Sequence, residues 1–153
     1  MSAPSIRHTY TIKEAAALTG LPASTLRYYE SIGVISPIRR GASSGHRVYL
    51  EEDLDQLTWV ACLSATGMAV ADMRRYVANG ELGPAAASEQ IGLLKAQQDQ
   101  LAAEARSIAL RRKYVGLKID YWQAVQAGDA ARAEQLSDQA RALADDLKKT
   151  KQH

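Results

Sequence analysis

The sequence predicts a mainly α-helical fold with one short β-hairpin between its helices. Three observations support this class. Two short helical segments near the N-terminus flank a glycine-containing turn, and a segment typical of β-strands follows between residues 34 and 50. From Ser88 to about Gln126 no proline interrupts a seven-residue pattern of apolar side chains, which predicts one long helix.

The first two helices are expected on either side of a tight turn. Thr11 is suited to cap a helix through Ala17, and Glu14, three residues later, completes a capping box. The segment Thr19-Gly20-Leu21 predicts a stop, and Pro22 lies where the next helix begins, because its fixed φ suits a first helical turn. Two short helices joined by such a turn predict a helix-turn-helix.

A basic, aromatic helix and a hairpin are expected next. The segment Ser24–Glu30 carries one cation and two aromatic side chains, a composition suited to docking on nucleic acid. Strands are expected over Val34–Arg40 and His46–Leu50, joined by a small turn. A hairpin beside a helix-turn-helix is a wing, and its arginines are expected along the phosphate backbone. Tyr49 is also suited to packing the wing onto the helices.

Two further helices complete the first predicted domain. Acidic residues at 51–53 favour a helix start, and apolar residues at helical spacing continue to about Ala65. A second helix is expected over Ala69–Ala78, followed by a break at Asn79–Pro84. The expected organisation is an N-terminal tail at 1–9, a winged helix-turn-helix domain at 10–80, a long dimerisation helix with a packing helix at 85–147, and a polar tail at 148–153.

The long helix carries a heptad seam. Apolar residues recur every seven positions, at Leu94, Leu101, Ile108, Val115 and Trp122. Ile119 belongs to the second, companion set of seam positions. At 1.5 Å per residue this helix spans roughly 58 Å, too far to bury its stripe against a small domain alone. We therefore expect a homodimer, the alternative being a helix that folds back only on its own chain. A final helix is expected over Ala130–Leu147, packed near Tyr114, Tyr121 and Trp122.

Charge is distributed unevenly along the chain. The formal net charge is +2, but residues 1–50 hold six Lys and Arg against two Glu, a balance of +4, which is the footprint expected of phosphate binding. No run of 18 apolar residues and no signal-peptide pattern occurs, so a cytoplasmic protein without a membrane partner is expected. One cysteine provides no disulfide and no thiolate pair for a metal, and no cofactor is expected.

Residues 10–78 resemble the DNA-binding domain of the MerR family of transcriptional regulators. The matching positions, in order and spacing, are Thr11-Ile12, Glu14-Ala15, Thr19-Gly20, Thr25–Glu30, Gly33, Pro37, Arg39, Gly45, Arg47, Tyr49 and Glu52–Leu54. Ser24 and His46 depart from the family pattern, which often has a basic residue and a tyrosine there.

The resemblance implies a homodimer that bends and untwists double-stranded promoter DNA and so acts on RNA polymerase indirectly. It also implies an antiparallel dimer through the long helix. The side chains expected to contact DNA are Thr11, Ser24, Arg27, Tyr28, Tyr29, Arg39, Arg40, His46 and Arg47.

Cys62 is the candidate sensing residue. The setting Cys62-Leu63, Thr66-Gly67-Met68 and Arg75-Tyr76 resembles MerR proteins that answer to aldehydes and other electrophiles, which implies a covalent sensor. The residues alone leave an alternative, in which Cys62 is a small core residue and a noncovalent ligand binds near Tyr114, Tyr121 and Trp122. An enzyme with a Cys62 nucleophile is not expected, because no histidine is placed to act as its base.

Overall fold

The computed structural model describes residues 7–150 and confirms the mainly α-helical class. Of the two expected tails, residues 1–6 and 151–153 lie outside the described residues. The chain divides into two compact units between Gln97 and Gln98. Within the described residues the elements are α1 Ile12–Thr19, α2 Ala23–Ser31, β1 Arg39–Arg40, β2 Arg47–Val48, α3 Glu51–Ala65, α4 Val70–Glu81, α5 Ala87–Gln126, α6 Ala130–Ala142 and α7 Ala144–Lys149.

The capping box of α1 forms as predicted, and the helix continues two residues beyond the expected end. The Glu14 amide donates to Thr11 Oγ1 at 3.2 Å, and the Thr11 amide donates to Glu14 Oε1 at 3.0 Å. The bond from the Thr11 amide lowers the pKa of the Glu14 carboxyl, because it favours the charged form. Gly20 ends the helix with φ 74°, a left-handed conformation in which a side chain would be strained.

The hairpin is much shorter than predicted, and the prediction of a strand over Val34–Arg40 is wrong for its first five residues. The amides of Val34 and Ile35 donate to the Tyr29 carbonyl at 2.9 and 3.4 Å instead of to a neighbouring strand. Pro37 has no N–H to donate to a ladder. The strands therefore shrink to two residues each, paired as Arg39 with Val48 and Arg40 with Arg47.

Tyr49 lies at the centre of the core of the first unit. Its side chain is fully buried, so the interpretation of Tyr49 as a packing residue is confirmed. Its backbone exchanges two 2.9 Å hydrogen bonds with Tyr10, which attaches the start of the described chain to the end of the wing. The other large side chains that are fully buried in this unit are Leu26, Leu57, Met73, Val34 and Val60.

The helix α3 has the predicted bounds, whereas the break expected at Asn79–Pro84 is helical. The helix α4 continues to Glu81, and a 3₁₀ turn at Gly83–Ala86 leads into α5. Polar contacts attach the start of α5 to the preceding helices. Arg75 donates to Glu89 at 2.6 Å, and Gln97 Nε2 donates to the Thr66 carbonyl at 2.8 Å. The Arg75 guanidinium lowers the pKa of the Glu89 carboxyl.

The second unit holds the rest of α5 with α6 and α7. Its core is formed by Ala124, Ala133 and Leu136, against which Leu117 and Tyr121 pack. The helix predicted over Ala130–Leu147 is interrupted at Leu143, after which α7 begins. Packing near Tyr121 is confirmed, but Trp122 is exposed. Between residues 7 and 150, no helix has the length and apolar character needed to cross a bilayer.

Candidate nucleic-acid interface

A cationic groove of about 250 Å³ runs between α1, α2 and the wing. It brings together five of the nine predicted contact residues, with no acidic side chain in its lining. The groove is lined by Thr11, Ile12, Lys13, Arg27, Arg40, His46 and Arg47. Four cations converging on one open groove form a site for a polyanion.

The exposed face of α2 carries the remaining predicted readers. Ser24 lies in its first turn, and Arg27 follows one turn later on the same exposed side of the helix. Tyr28 is 53% exposed, which is high for an aromatic ring in a helix that packs on a core. The helix therefore presents a cation, a hydroxyl and a ring on its exposed face, and of these the cation, Arg27, lines the groove.

Tyr29 is a correction to the predicted contact set. Its side chain is only 6% exposed, and it belongs to the core around Leu26 and Tyr49. Its hydroxyl donates to Ser64 Oγ at 3.3 Å, which joins α2 to α3. Adjacent residues on a helix point about 100° apart, so the exposure of Tyr28 and the burial of Tyr29 follow from the helical repeat. Tyr29 supports the interface and does not line it.

Arg47 is corrected in part. It lies in the wall of the groove, but its Nε donates to Glu30 Oε1 at 2.9 Å, and the two side chains are 19% and 13% exposed. Most of its charge is therefore neutralised within the protein before any phosphate arrives. The ion pair joins β2 to the end of α2, so Arg47 holds the wing against the helix.

The free cations of the wing are Arg39 and Arg40, which are both exposed. Arg40 Nη1 reaches the carbonyl of Gly45 at 3.3 Å across the turn. The Gly41 amide donates to the His46 carbonyl at 2.8 Å, and Gly45 closes the turn with φ 67°. His46 is exposed beside them. The wing thus holds two exposed guanidinium groups on β1, beside a turn closed by backbone bonds.

Lys13 is a groove residue that the predicted contact set omitted. It lies in the first turn of α1, two residues after the cap Thr11, and lines the groove with Arg27 and Arg40. Its position next to a predicted contact residue is the signal that could have identified it. The uncompensated cations of the groove are then Lys13, Arg27 and Arg40.

Comparison with known proteins identifies the domain. Residues 10–80 match the family model described as MerR HTH family regulatory protein. The chain is 29% identical over 131 residues to an uncharacterised HTH-type transcriptional regulator of Haemophilus influenzae, which covers 84% of this chain and 94% of that protein. Residues 10–80 are therefore similar to the helix-turn-helix domain of MerR family regulators.

Solved MerR structures have the same fold. HiNmlR, a MerR family regulator lacking the sensor domain, was solved bound to promoter DNA; it has TM-score 0.64 and 25% identity over 84% of this chain and 96% of that one. A MerR family regulator from Listeria monocytogenes has TM-score 0.66 and 27% identity over 85% and 98%. These relatives are transcriptional regulators and not enzymes.

Cys62 is exposed on α3. The alternative that placed it in the core is therefore wrong for the described chain, because the apolar face of α3 is formed by Leu54, Leu57 and Val60. Arg75, which follows in the same motif, is paired with Glu89. Among residues 7–150 no three His, Cys, Asp or Glu side chains come together to hold a metal ion.

The predicted seam of α5 is exposed along the single chain. Each of its apolar side chains is more than a third exposed, and none has a partner within the described residues that covers it. The fractional exposures are Leu94 42%, Leu101 39%, Ile108 51%, Val115 56%, Ile119 53% and Trp122 64%. Ile91, one turn before Leu94, is exposed in the same way.

The ion pair between Arg47 and Glu30 makes a stability prediction. Arg47→Ala should lower the free energy of unfolding by about 1–3 kcal/mol, because it leaves a shielded carboxylate without its charged hydrogen-bond donor. Glu30→Gln should cost less, since its amide oxygen still accepts. Arg39→Ala is the matched control and should stay within about 0.5 kcal/mol, as for other exposed positions. Urea denaturation followed by circular dichroism measures all three. Equal effects of the two arginine substitutions would contradict the assignment.

Proposed function

We propose that this chain is a sequence-specific transcription regulator that binds double-stranded promoter DNA as a homodimer. The observation that carries this proposal is the open groove of Lys13, Arg27 and Arg40, three uncompensated cations between a helix-turn-helix and a wing. The promoter DNA bound by the similar regulator HiNmlR supports the choice of ligand. Net positive charge on one face is typical of nucleic-acid binding.

The proposed contacts divide between α2 and the wing. Ser24, Arg27 and Tyr28 on the exposed face of α2 would enter the major groove, where a guanidinium can bind a guanine edge bidentately. Arg39 and Arg40 of the wing would bind flanking phosphates, with Thr11 and His46 beside them. Arg47 would act indirectly, by holding the wing in position against α2. Base contacts would then supply sequence preference, and phosphate contacts would supply affinity.

The wing contacts are tested by salt dependence. Arg40→Ala should weaken binding to all DNA sequences about equally and reduce the slope of log K against log salt by about one unit, because each neutralised phosphate releases about one counterion. Arg141→Ala in α6, another exposed arginine, is the control and should leave the slope unchanged. Fluorescence anisotropy at several salt concentrations measures both. A change in sequence preference at constant slope would contradict the phosphate assignment.

Dimerisation is proposed through the exposed stripe of α5. An apolar stripe at heptad spacing along the surface of a helix is stable in water only when another surface covers it. The stripe repeats on every copy of the chain, so an antiparallel pairing of α5 with its copy would bury it.

Two copies of the chain also supply two wings, which is what distortion of promoter DNA requires. Bending DNA costs several kcal/mol, and phosphate contacts from two wings offset it. RNA polymerase would then respond to the altered promoter.

The assembly is tested at Ile108, in the middle of the stripe. Ile108→Asp should give monomers without measurable affinity for the operator, because it would bury an unpaired charge opposite the partner helix. Ala109→Asp adds the same charge at the next, exposed position of α5 and should remain dimeric. Multi-angle light scattering measures the mass. A dimer of undiminished stability in Ile108→Asp would show that the seam lies on another face.

The proposed signal is an electrophile that reacts with Cys62. Exposure of the thiol on α3 supports this, and so does its place in the DNA-binding unit, where an adduct could change the geometry of the groove. An aldehyde adds to the thiol to form a hemithioacetal, in which sulfur bonds to the carbonyl carbon and the proton moves to oxygen. The second candidate is a noncovalent small molecule acting without chemistry at sulfur.

Cys62→Ser separates the two candidates. Because the residue is exposed, the serine variant should fold and bind DNA with a free energy of unfolding within about 0.5 kcal/mol of the wild type. It should lose the transcriptional response to aldehydes, since a hydroxyl is a much weaker nucleophile than a thiolate. A promoter fusion to a reporter measures the response. A normal aldehyde response in Cys62→Ala would refute the covalent sensor and favour the noncovalent ligand.

A further inference from the structure

The helix α5 carries two sets of positions that are exposed along its length. Each set repeats every seven residues, and the two sets alternate at intervals of three and four residues, so they share one side of the helix. Leu117 and Tyr121, which pack toward α6, lie on a different side and leave both sets uncovered. The first set is the stripe Leu94, Leu101, Ile108, Val115 and Trp122, and the companion set is Ile91, Gln98, Ala105, Arg112 and Ile119.

The spacing of the two sets is symmetric about the middle of α5. The helix runs over Ala87–Gln126, and the same succession of intervals is met from either end. Two copies that run antiparallel with their ends aligned therefore bring each position of one set opposite a position of the other set. Ile91 meets Trp122 of the partner subunit, and at the centre Ala105 meets Ile108 of the partner subunit. A shift by one heptad, roughly 10 Å, would carry either Ile91 or Trp122 past the end of the opposite helix.

One flank of this surface carries complementary charges. Glu104 and Arg111 are both exposed, and each directly precedes a position of the companion set. Between residues 7 and 150 neither of them forms an ion pair, and Glu104 only accepts a 3.4 Å hydrogen bond from Gln100. In the aligned antiparallel pair this flank faces the same flank of the copy. Glu104 then lies opposite Arg111 of the partner subunit, and the symmetry of the pair repeats the contact.

Like charges oppose the other arrangements of the same two helices. A shift by one heptad in one direction places Glu104 beside Glu104 of the partner subunit. The opposite shift places Arg111 beside Arg111 of the partner subunit, and an in-register parallel pair sets Arg112 against Arg112 of the partner subunit. Juxtaposed like charges raise the free energy of a complex, so each alternative is disfavoured relative to the aligned antiparallel pair.

We propose that this surface of α5 selects as its partner a second copy of the chain in one register, with Glu104 paired to Arg111 of the partner subunit twice in the dimer. The inference rests on the homodimer of the proposed function and deepens it, because it identifies the charges that choose the partner. The apolar positions supply affinity, and the two ion pairs supply selectivity. A helix with a similar apolar stripe but without an acid and a base at these two places would pair less well with this chain.

Charge exchange at the two positions tests the register. The full chain is measured without DNA at low ionic strength by sedimentation equilibrium, because salt screens exposed ion pairs. Glu104→Arg and Arg111→Glu should each raise the dimer dissociation constant about tenfold, since each variant places like charges together at both copies of the contact. The double variant Glu104→Arg/Arg111→Glu should restore the wild-type constant, which also shows that the substituted helix still folds.

Mixing the two single variants gives a second, independent readout. In the mixed dimer one subunit carries two arginines where the other carries two glutamates, so both contacts become attractive. Native mass spectrometry of the equimolar mixture should show heterodimers above the proportion expected from random pairing. Asp99→Arg and Lys113→Glu make the same charge changes at exposed positions of α5 outside both sets. These control variants should keep the wild-type dissociation constant and pair randomly.

The outcomes separate this inference from the proposed function. Random pairing of Glu104→Arg with Arg111→Glu, or a double variant as weak as the single variants, would overturn the register while the homodimer stands. A wild-type chain that stays monomeric would overturn the register and the homodimer together. A dimer that fails to bind promoter DNA would contradict the proposed function and leave these dissociation constants unchanged.

Discussion

The attachment of the wing to α2 is the constraint on which the interface depends. Two strands of two residues each cannot hold a hairpin in place by themselves. The position of the wing is set instead by the ion pair of Arg47 with Glu30 and by the side chain of Tyr49, which is fully buried in the core. Arg40 and Arg27 face one groove because these two anchors hold β2 at the end of α2. The positions of the exposed cations are therefore set by shielded residues, the Arg47–Glu30 pair and Tyr49.

The same anchors come at a cost within the core. The Tyr49 hydroxyl is buried without a hydrogen-bond partner in the described chain, and burial raises the pKa of its phenol. Such a group destabilises the fold by about 1–3 kcal/mol relative to a paired one. Tyr29, the neighbouring buried tyrosine, avoids this cost by donating to Ser64. The ring of Tyr49 fills volume in the core of the first unit, and its hydroxyl is buried together with the ring.

Local signals in the sequence predicted the helices well and the hairpin poorly. The capping box at Thr11, the left-handed Gly20 and the acidic start of α3 depend on neighbours a few residues away, so a sequence pattern contains them. The residues 34–38 look like a strand because most of them are apolar, yet the amides of Val34 and Ile35 bond back to the Tyr29 carbonyl at the end of α2. The Ser36 amide donates to Gln56 Oε1 on α3, a tertiary contact that no local pattern reveals. The ion pair that neutralises Arg47 in the wall of the groove joins residues seventeen positions apart in sequence, and only the fold brings Glu30 to it.

Solvent exposure of the side chain distinguishes the two interpretations of Cys62, a buried core residue and an accessible thiol. A sequence places Cys62 on a helix with apolar neighbours, where burial is the usual outcome for a free cysteine. In the structure the apolar stripe of α3 passes through Val60 and the thiol lies beside it, facing an open cavity with Trp59 in its wall. No cation lines that cavity. Under the proposed function, the thiol would therefore depend on its accessibility to electrophiles and not on a positive charge in the cavity wall.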